Sequence, residues 1–269
     1  MTHTAEILTR IKEEPPLIHN ITNLVVTNFT ANGLYAIGAQ PVMANAIEEV
    51  EQMASQADAL ILNIGTLTQD QVNAMVLAGK AANRAGTPVI FDPVGVGATT
   101  YRNETAKRLL DTVRMTAIRG NTGEIATLAG LSVNVRGVDS DASLDDPAEA
   151  AKKVANAHNT LVMMTGETDV ITDGTRVVLC ENGHHLQAKV TGTGCLLTSV
   201  TGAFIARHTD AFEAVASAAG FYGAAAEQAA SMLSNPATGS FQVGFLDALY
   251  TLTGDRLERA VKLTQTEGA

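Results

Sequence analysis

The sequence predicts an α/β fold, a mostly parallel central sheet with helices on both faces, formed as one domain over residues 1–269. Three observations predict it. Short apolar runs alternate with helix-like stretches through the first two-thirds of the chain. Those runs are continuously apolar, as in strands buried on both faces. Several end in a charged or polar residue followed by glycine, which suits the carboxyl edge of an open parallel sheet. No linker, internal repeat or low-complexity segment divides the 269 residues, a length that supports one large, well-buried core.

Glu6 to Glu13 reads as a first helix, stopped by Pro15-Pro16. Leu17 to Asn28 interleaves Asn20, Asn23, Asn28 and His19 with apolar residues. The asparagines suit a small polar heterocycle or a water network. They equally suit the caps and turns that open a helix running to Ile37. Gly38 ends that helix, and Ala39 to Ala44 reads as a short strand. Met43, near its end, is either core filler or the apolar wall of a pocket. Ala46 to Ala57 is helical in pattern, and Asp58 to Ile64 is a buried strand. Thr68 caps a helix to about Ala85, and Gly86 turns the chain into the buried strand Val89 to Asp92.

Asp92 ends its strand and is followed by glycines, so its carboxylate either holds hydrated Mg²⁺ or caps the loop. Asn103 to Arg114 is helical. Ala117 to Glu124 repeats the logic of strand end, polar residues and helix start. Arg119 has the reach for a phosphate and Glu124 for a metal through water, or the two pair with each other. Ser132 to Asp145 is the most loop-like segment. Asp146-Pro-Ala-Glu149 then starts a helix with an acidic cap, a proline at the first position and a glutamate reaching back. Thr160 to Thr165 is a buried strand, and Val170 to Cys180 is a hairpin turning at Asp173-Gly174. Cys180 lies in an apolar strand and reads as inert core.

A strand-like run, His184 to Val190, leads into Val190-Thr-Gly-Thr-Gly-Cys195 and a small-residue helix to about Arg207. Gly192 and Gly194 permit a tight turn whose free N–H groups bind an anion at the positive end of the helix. Cys195 sits at that end, where a thiolate is favoured. No Lys-Ser/Thr follows, so this is not a Walker loop, and Leu197 stands where a dinucleotide fingerprint needs its third glycine. The remainder, Phe212 to Leu233, Gly239 to Leu252 and Asp255 to Leu263, is helical in pattern.

The net charge of −10 argues against nucleic acid bound through a basic surface. Two cysteines and no disulfide framework point to a cytoplasmic setting, and the polar Met1 to Glu14 does not read as a signal peptide. No apolar run reaches membrane-spanning length.

Asn20-Ile-Thr-Asn23, Pro41-Val-Met-Ala44, Phe91-Asp-Pro-Val-Gly95, Arg119-Gly-Asn-Thr-Gly-Glu124 and Val190-Thr-Gly-Thr-Gly-Cys195 together resemble the hydroxyethylthiazole kinases of thiamine salvage. The likeness covers nearly the whole chain. It implies a ribokinase-like three-layer sandwich. It also implies ATP- and Mg²⁺-dependent phosphorylation of the hydroxyl of 4-methyl-5-(2-hydroxyethyl)thiazole. By matched position, Arg119, Asn121 and Thr165 serve ATP, and Asp92 and Glu124 organise the metal. Gly192, Met43 and Asn23 serve the thiazole alcohol, while Thr193, Gly194 and Cys195 stand at the reacting centre. The resemblance further implies a homotrimer with sites at subunit boundaries. Sugar and vitamin kinases of the wider superfamily carry an aspartate base where this chain has Cys195, as the thiazole kinase branch does. Two other readings share these residues: a hydroxymethylpyrimidine-type kinase, and a nucleotide-binding regulator that has lost catalysis. An assay of ADP release with the thiazole alcohol separates them.

Overall fold

The computed structural model describes residues 4–131, 144, 146–235 and 237–266. Apart from Leu144, the loop expected over Ser132 to Asp145 lies outside the described residues. The chain begins with α1 (Thr4–Glu13), β1 (Leu17–Ile21), α2 (Thr27–Ile37), β2 (Gln40–Val42), α3 (Val50–Gln56) and β3 (Ala59–Asn63). It continues with α4 (Gln69–Ala85), β4 (Val89–Asp92), α5 (Thr100–Thr112), β5 (Ala117–Asn121), α6 (Thr122–Leu128), α7 (Pro147–His158) and β6 (Leu161–Thr165). A hairpin, β7 (Asp169–Thr172) and β8 (Val177–Cys180), precedes α8 (Thr193–Ile205), α9 (Ala211–Ser231), α10 (Thr238–Thr251), α11 (Gly254–Ala260) and β9 (Leu263–Thr266). Thr68 and Asp146 cap α4 and α7 as expected, accepting from the N–H groups of Gln71 and Glu149.

The strands form one sheet in the order β2-β1-β3-β4-β5-β6-β7-β8-β9. β2 through β6 are parallel, and the β6–β7, β7–β8 and β8–β9 pairs are antiparallel. The spatial order reverses at β1, so a crevice opens at the carboxyl ends of β1 and β3, where open α/β sheets bind ligands.

Side-chain alternation along the strands builds three layers. Ile18, Ile61, Ile90, Ala117 and Met163 face a layer holding α1, α2, α8, α9 and α10. Ile21, Leu62, Phe91, Ile118 and Val162 face the opposite layer of α3 to α7. Ala and Gly in α8 and α9 permit close approach: a Cβ at Gly202 would stand 2.7 Å from Ile61.

Three elements differ from expectation. Leu17–Ile21 is a buried strand rather than a prelude to a helix. Its polar residues disguise it, and each has a distant partner: His19 Nε2 lies 2.8 Å from the Ala44 carbonyl oxygen, and Asn20 Oδ1 accepts from Ser199 at 2.7 Å. The run before the glycine turn is a 3-10 helix, His185–Lys189, opened by a cap in which His184 Nδ1 accepts from the Leu186 N–H and Gln187 Oε1 accepts from the His184 N–H. After α11 the chain adds β9 along β8, a pairing that only the folded sheet edge provides.

Candidate active site

Strand alternation decides which side chains reach the crevice. Two residues beyond Ile61, Ile90, Ala117 and Met163 stand Asn63, Asp92, Arg119 and Thr165, on the face covered by α8, while Asn20, in register with Ile61, sits one step lower on β1. The carboxyl edge of the parallel sheet therefore gathers a polar row beneath the start of α8.

Gly192 caps α8 with φ +94°, a left-handed conformation that favours glycine. It lies so close to α2 that a Cβ there would stand 2.8 Å from Val26. Arg119 lies under Gly194, and its Nη2 donates to Thr165 Oγ1 at 2.7 Å. An anion at the turn would thus meet backbone N–H groups, a helix start and a guanidinium together.

Asp92 is fully buried at the end of β4. Its Oδ2 accepts from Asn63 Nδ2 and from Thr198 Oγ1, each at 2.8 Å. Its Oδ1 is buried and has no hydrogen-bond partner among the described residues. Burial raises the Asp92 carboxyl above the usual carboxylate range, opposed by the charge of Arg119. Glu124 is pushed up to about 7, first by burial and then by the Asp92 charge. Its two oxygens accept from the N–H groups of Gly95 and Asn121, each at 2.8 Å. Two neighbouring buried carboxylates with raised proton affinity and an unpartnered Oδ1 fit a divalent cation, which would neutralise both. Arg119 and Glu124 each have other partners, so neither exists only to pair the other.

Several expected site residues have further partners. Thr193 Oγ1 donates to the carbonyl of Gln187 at 2.8 Å, and Tyr222 Oη donates to the Thr193 carbonyl at 2.6 Å. Thr193 therefore also ties the glycine turn to the 3-10 helix and to α9. The Asn121 side chain caps α6 by accepting from the Glu124 N–H at 2.9 Å, so it also helps to orient Glu124. The thiolate expected at Cys195 is not favoured. Burial and the nearby Asp92 charge push the thiol up to about 12, and they outweigh the helix start. Asn23 is buried and donates to Asn63 Oδ1 at 3.0 Å and to Cys195 Sγ at 3.4 Å. Met43 follows β2 and is only half-buried, outside both core clusters. Cys180 is fully buried in β8, as expected of inert core. Asn20 holds α8 to β1 through Ser199 and lies below the site.

With this geometry in place, comparison decides the family. A model of the hydroxyethylthiazole kinase family matches residues 8–255. The chain belongs to the hydroxyethylthiazole kinase family. Membership makes it a kinase, a phosphotransferase acting on an alcohol group. The hydroxyethylthiazole kinase of Thermoanaerobacter sp. (strain X514) is 50% identical over 258 residues, covering 96% of this chain and 98% of its own. The structure of a hydroxyethylthiazole kinase protein from Pyrococcus horikoshii OT3 matches with a TM-score of 0.90 at 40% identity, over 99% of this chain and 100% of that one. The pyridoxal kinase of Staphylococcus aureus, solved with ADP, shares the ribokinase-like fold at a TM-score of 0.64 and 15% identity, over 94% and 99% of the two chains.

Three polar residues at or beside this candidate site carried no motif in the sequence. Asn63 is the polar end of a buried strand paired in register with Asp92, and that position was its one available signal. Thr198 is one small residue among many in α8. Arg102 donates to the carbonyls of Ile64 and Gly65, each at 2.7 Å, and to that of Val94, stapling the loops after β3 and β4.

Proposed function

We propose that the chain transfers the γ-phosphoryl group of ATP to the primary alcohol of 4-methyl-5-(2-hydroxyethyl)thiazole at the carboxyl edge of β1, β3, β4 and β5. The single observation that carries this reading is the meeting of the Gly192–Gly194 turn with Arg119 and Asp92 in a chain of this family. Backbone N–H groups at the start of α8 would meet the transferring group, and Arg119, positioned by Thr165, would meet the phosphates. Phosphoryl transfer asks mainly for alignment and charge neutralisation, and this site supplies fixed donors in a buried setting. Asp92 and Glu124 would hold Mg²⁺, directly or through water, and the ion would supply charge neutralisation at the phosphates. Asn23 and Met43 would line the thiazole pocket at the crevice beside β1.

A homotrimer with shared sites belongs to the same reading. It is supported by Leu24 and Val25, apolar and 74% and 67% exposed, directly after Asn23. No helix among the described residues is long and apolar enough to cross a membrane, and a cytoplasmic location accords with the two free cysteines.

Coupled ADP release with Mg-ATP tests the reaction. Turnover is expected with the thiazole alcohol and not with hydroxymethylpyrimidine. Preference for the pyrimidine would move the assignment to the neighbouring kinase type. Nucleotide binding without turnover on either alcohol would leave a regulator.

A further inference from the structure

Asn63 touches both halves of the site. It is 1% exposed, at the end of β3. Its Oδ1 accepts from the Gly65 N–H at 2.9 Å and from Asn23 Nδ2 at 3.0 Å, and its Nδ2 donates to Asp92 Oδ2 at 2.8 Å. The orientation of this amide is not free. A backbone N–H can only donate, so the oxygen must face Gly65 and the nitrogen must face Asp92.

Thr198 completes the hold on Asp92 from the other layer. Its hydroxyl donates to the same Oδ2 at 2.8 Å and lies 3.3 Å from the Gly194 carbonyl of its own helix. Both donors thus fall on one carboxylate oxygen, and Oδ1 is left without a partner among the described residues. Rotating the carboxylate would break both bonds and strand two buried donors, so the acid is held in one orientation. The same Asn63 amide fixes Asn23. Asn23 Nδ2 serves Asn63 Oδ1 and Cys195 Sγ, which turns the Asn23 oxygen away from this cluster.

We propose that Asn63 and Thr198 are positioning residues for phosphoryl transfer, orienting Asp92 with Oδ1 presented, and that Asn63 also sets the Asn23 amide at the thiazole pocket. The proposal rests on the reading of Asp92 as a metal-organising acid. It gives the two residues different signatures. Thr198 reaches Asp92 and not Asn23, whereas Asn63 reaches both.

The experiment compares full-length Asn63→Ala, Thr198→Val, Thr198→Ser and Asp92→Asn with the parent. Calorimetry measures binding of the thiazole alcohol with neither nucleotide nor Mg²⁺ present. Turnover at saturating substrates gives the Mg²⁺ concentration for half-maximal rate, and thermal melting reports folding. Asn63→Ala is expected to weaken alcohol binding by about tenfold, roughly the value of one buried hydrogen bond, and to raise the Mg²⁺ requirement. Thr198→Val is expected to raise the Mg²⁺ requirement while alcohol binding stays within about twofold, and Thr198→Ser to recover most of that loss. If Asn63→Ala does not fold, Thr198→Val against Thr198→Ser decides alone. Folded variants of both positions with the parent's Mg²⁺ dependence would overturn the proposal, provided Asp92→Asn shifts that dependence. Equal weakening of alcohol binding in Thr198→Val and Asn63→Ala would also overturn it, because it would mean general deformation. If Asp92→Asn itself keeps the parent's dependence, the metal-acid reading fails and the positioning proposal falls with it.

Discussion

Arg119 lies against the backbone of Gly194 so closely that a Cβ at position 194 would stand 2.7 Å from Nη1 and 3.0 Å from Nη2. The guanidinium and the anion turn are therefore one unit. Gly194→Val is expected to abolish turnover, because the side chain would displace Arg119 and fill the phosphoryl site proposed at this turn. Single-turnover measurement checks it. Activity within about tenfold of the parent would show that the turn lies outside the reaction path.

Cys195 is expected to be helpful but dispensable. Its thiol is pushed up to about 12, so it stays protonated at neutral pH and makes a poor base. In a loose transition state the alcohol keeps its proton until late, so little is lost without a base. Cys195→Ala should lose roughly ten- to a hundredfold in single-turnover rate, at or below the low end for general-base catalysis. Cys195→Asp should also support turnover. The parent thiol should resist alkylation at mildly alkaline pH. Complete loss of rate in a folded Cys195→Ala that still binds ATP would make the thiol essential.

Glu124 supplies a pH dependence of definite sign. Its carboxyl is raised from an ordinary 4.5 to about 7, so between these values the folded protein binds more protons than the unfolded chain. Its contribution to stability is fully present below 4.5 and is lost as pH rises through about 7. Metal-free melting temperatures should fall across this window, and Glu124→Gln should flatten the fall. The same variant should lower turnover far more than stability. Normal turnover at limiting Mg²⁺ would leave Glu124 as a structural acid only.

Met43 stands beyond the end of an edge strand, half-buried and outside both core clusters. Met43→Ala is expected to weaken binding of the thiazole alcohol by about 1–3 kcal/mol through lost apolar burial. Nucleotide affinity should change little. Calorimetry with each ligand separates the cases, since equal weakening of both would assign Met43 to the scaffold.

Much of this was legible because it is local. The cap at Asp146, the turn at Gly174 and the strand ending in Asp92 each depend on a few consecutive residues. Buried β1 was not legible, because His19 and Asn20 break its apolar run and find partners 25 and 179 positions away. β9 was likewise hidden, since an edge strand needs a partner that the local sequence does not contain.

The sequence by itself determined the acids, the glycine turn and the alternation that brings Asp92 and Arg119 to one edge of a sheet. Those features follow from spacing and backbone preference. The tertiary structure decided how the groups behave. It turned Thr193 toward Gln187 and made Asn121 a cap for Glu124. It half-buried Cys195 beside Asp92, so the helix start no longer favours the thiolate. It also brought Thr198 to Asp92 across 106 positions and set Asn63 between Asp92 and Asn23. The reason is physical: proton affinity and side-chain orientation depend on burial and on partners from distant segments, and these exist only after the layers close on the sheet.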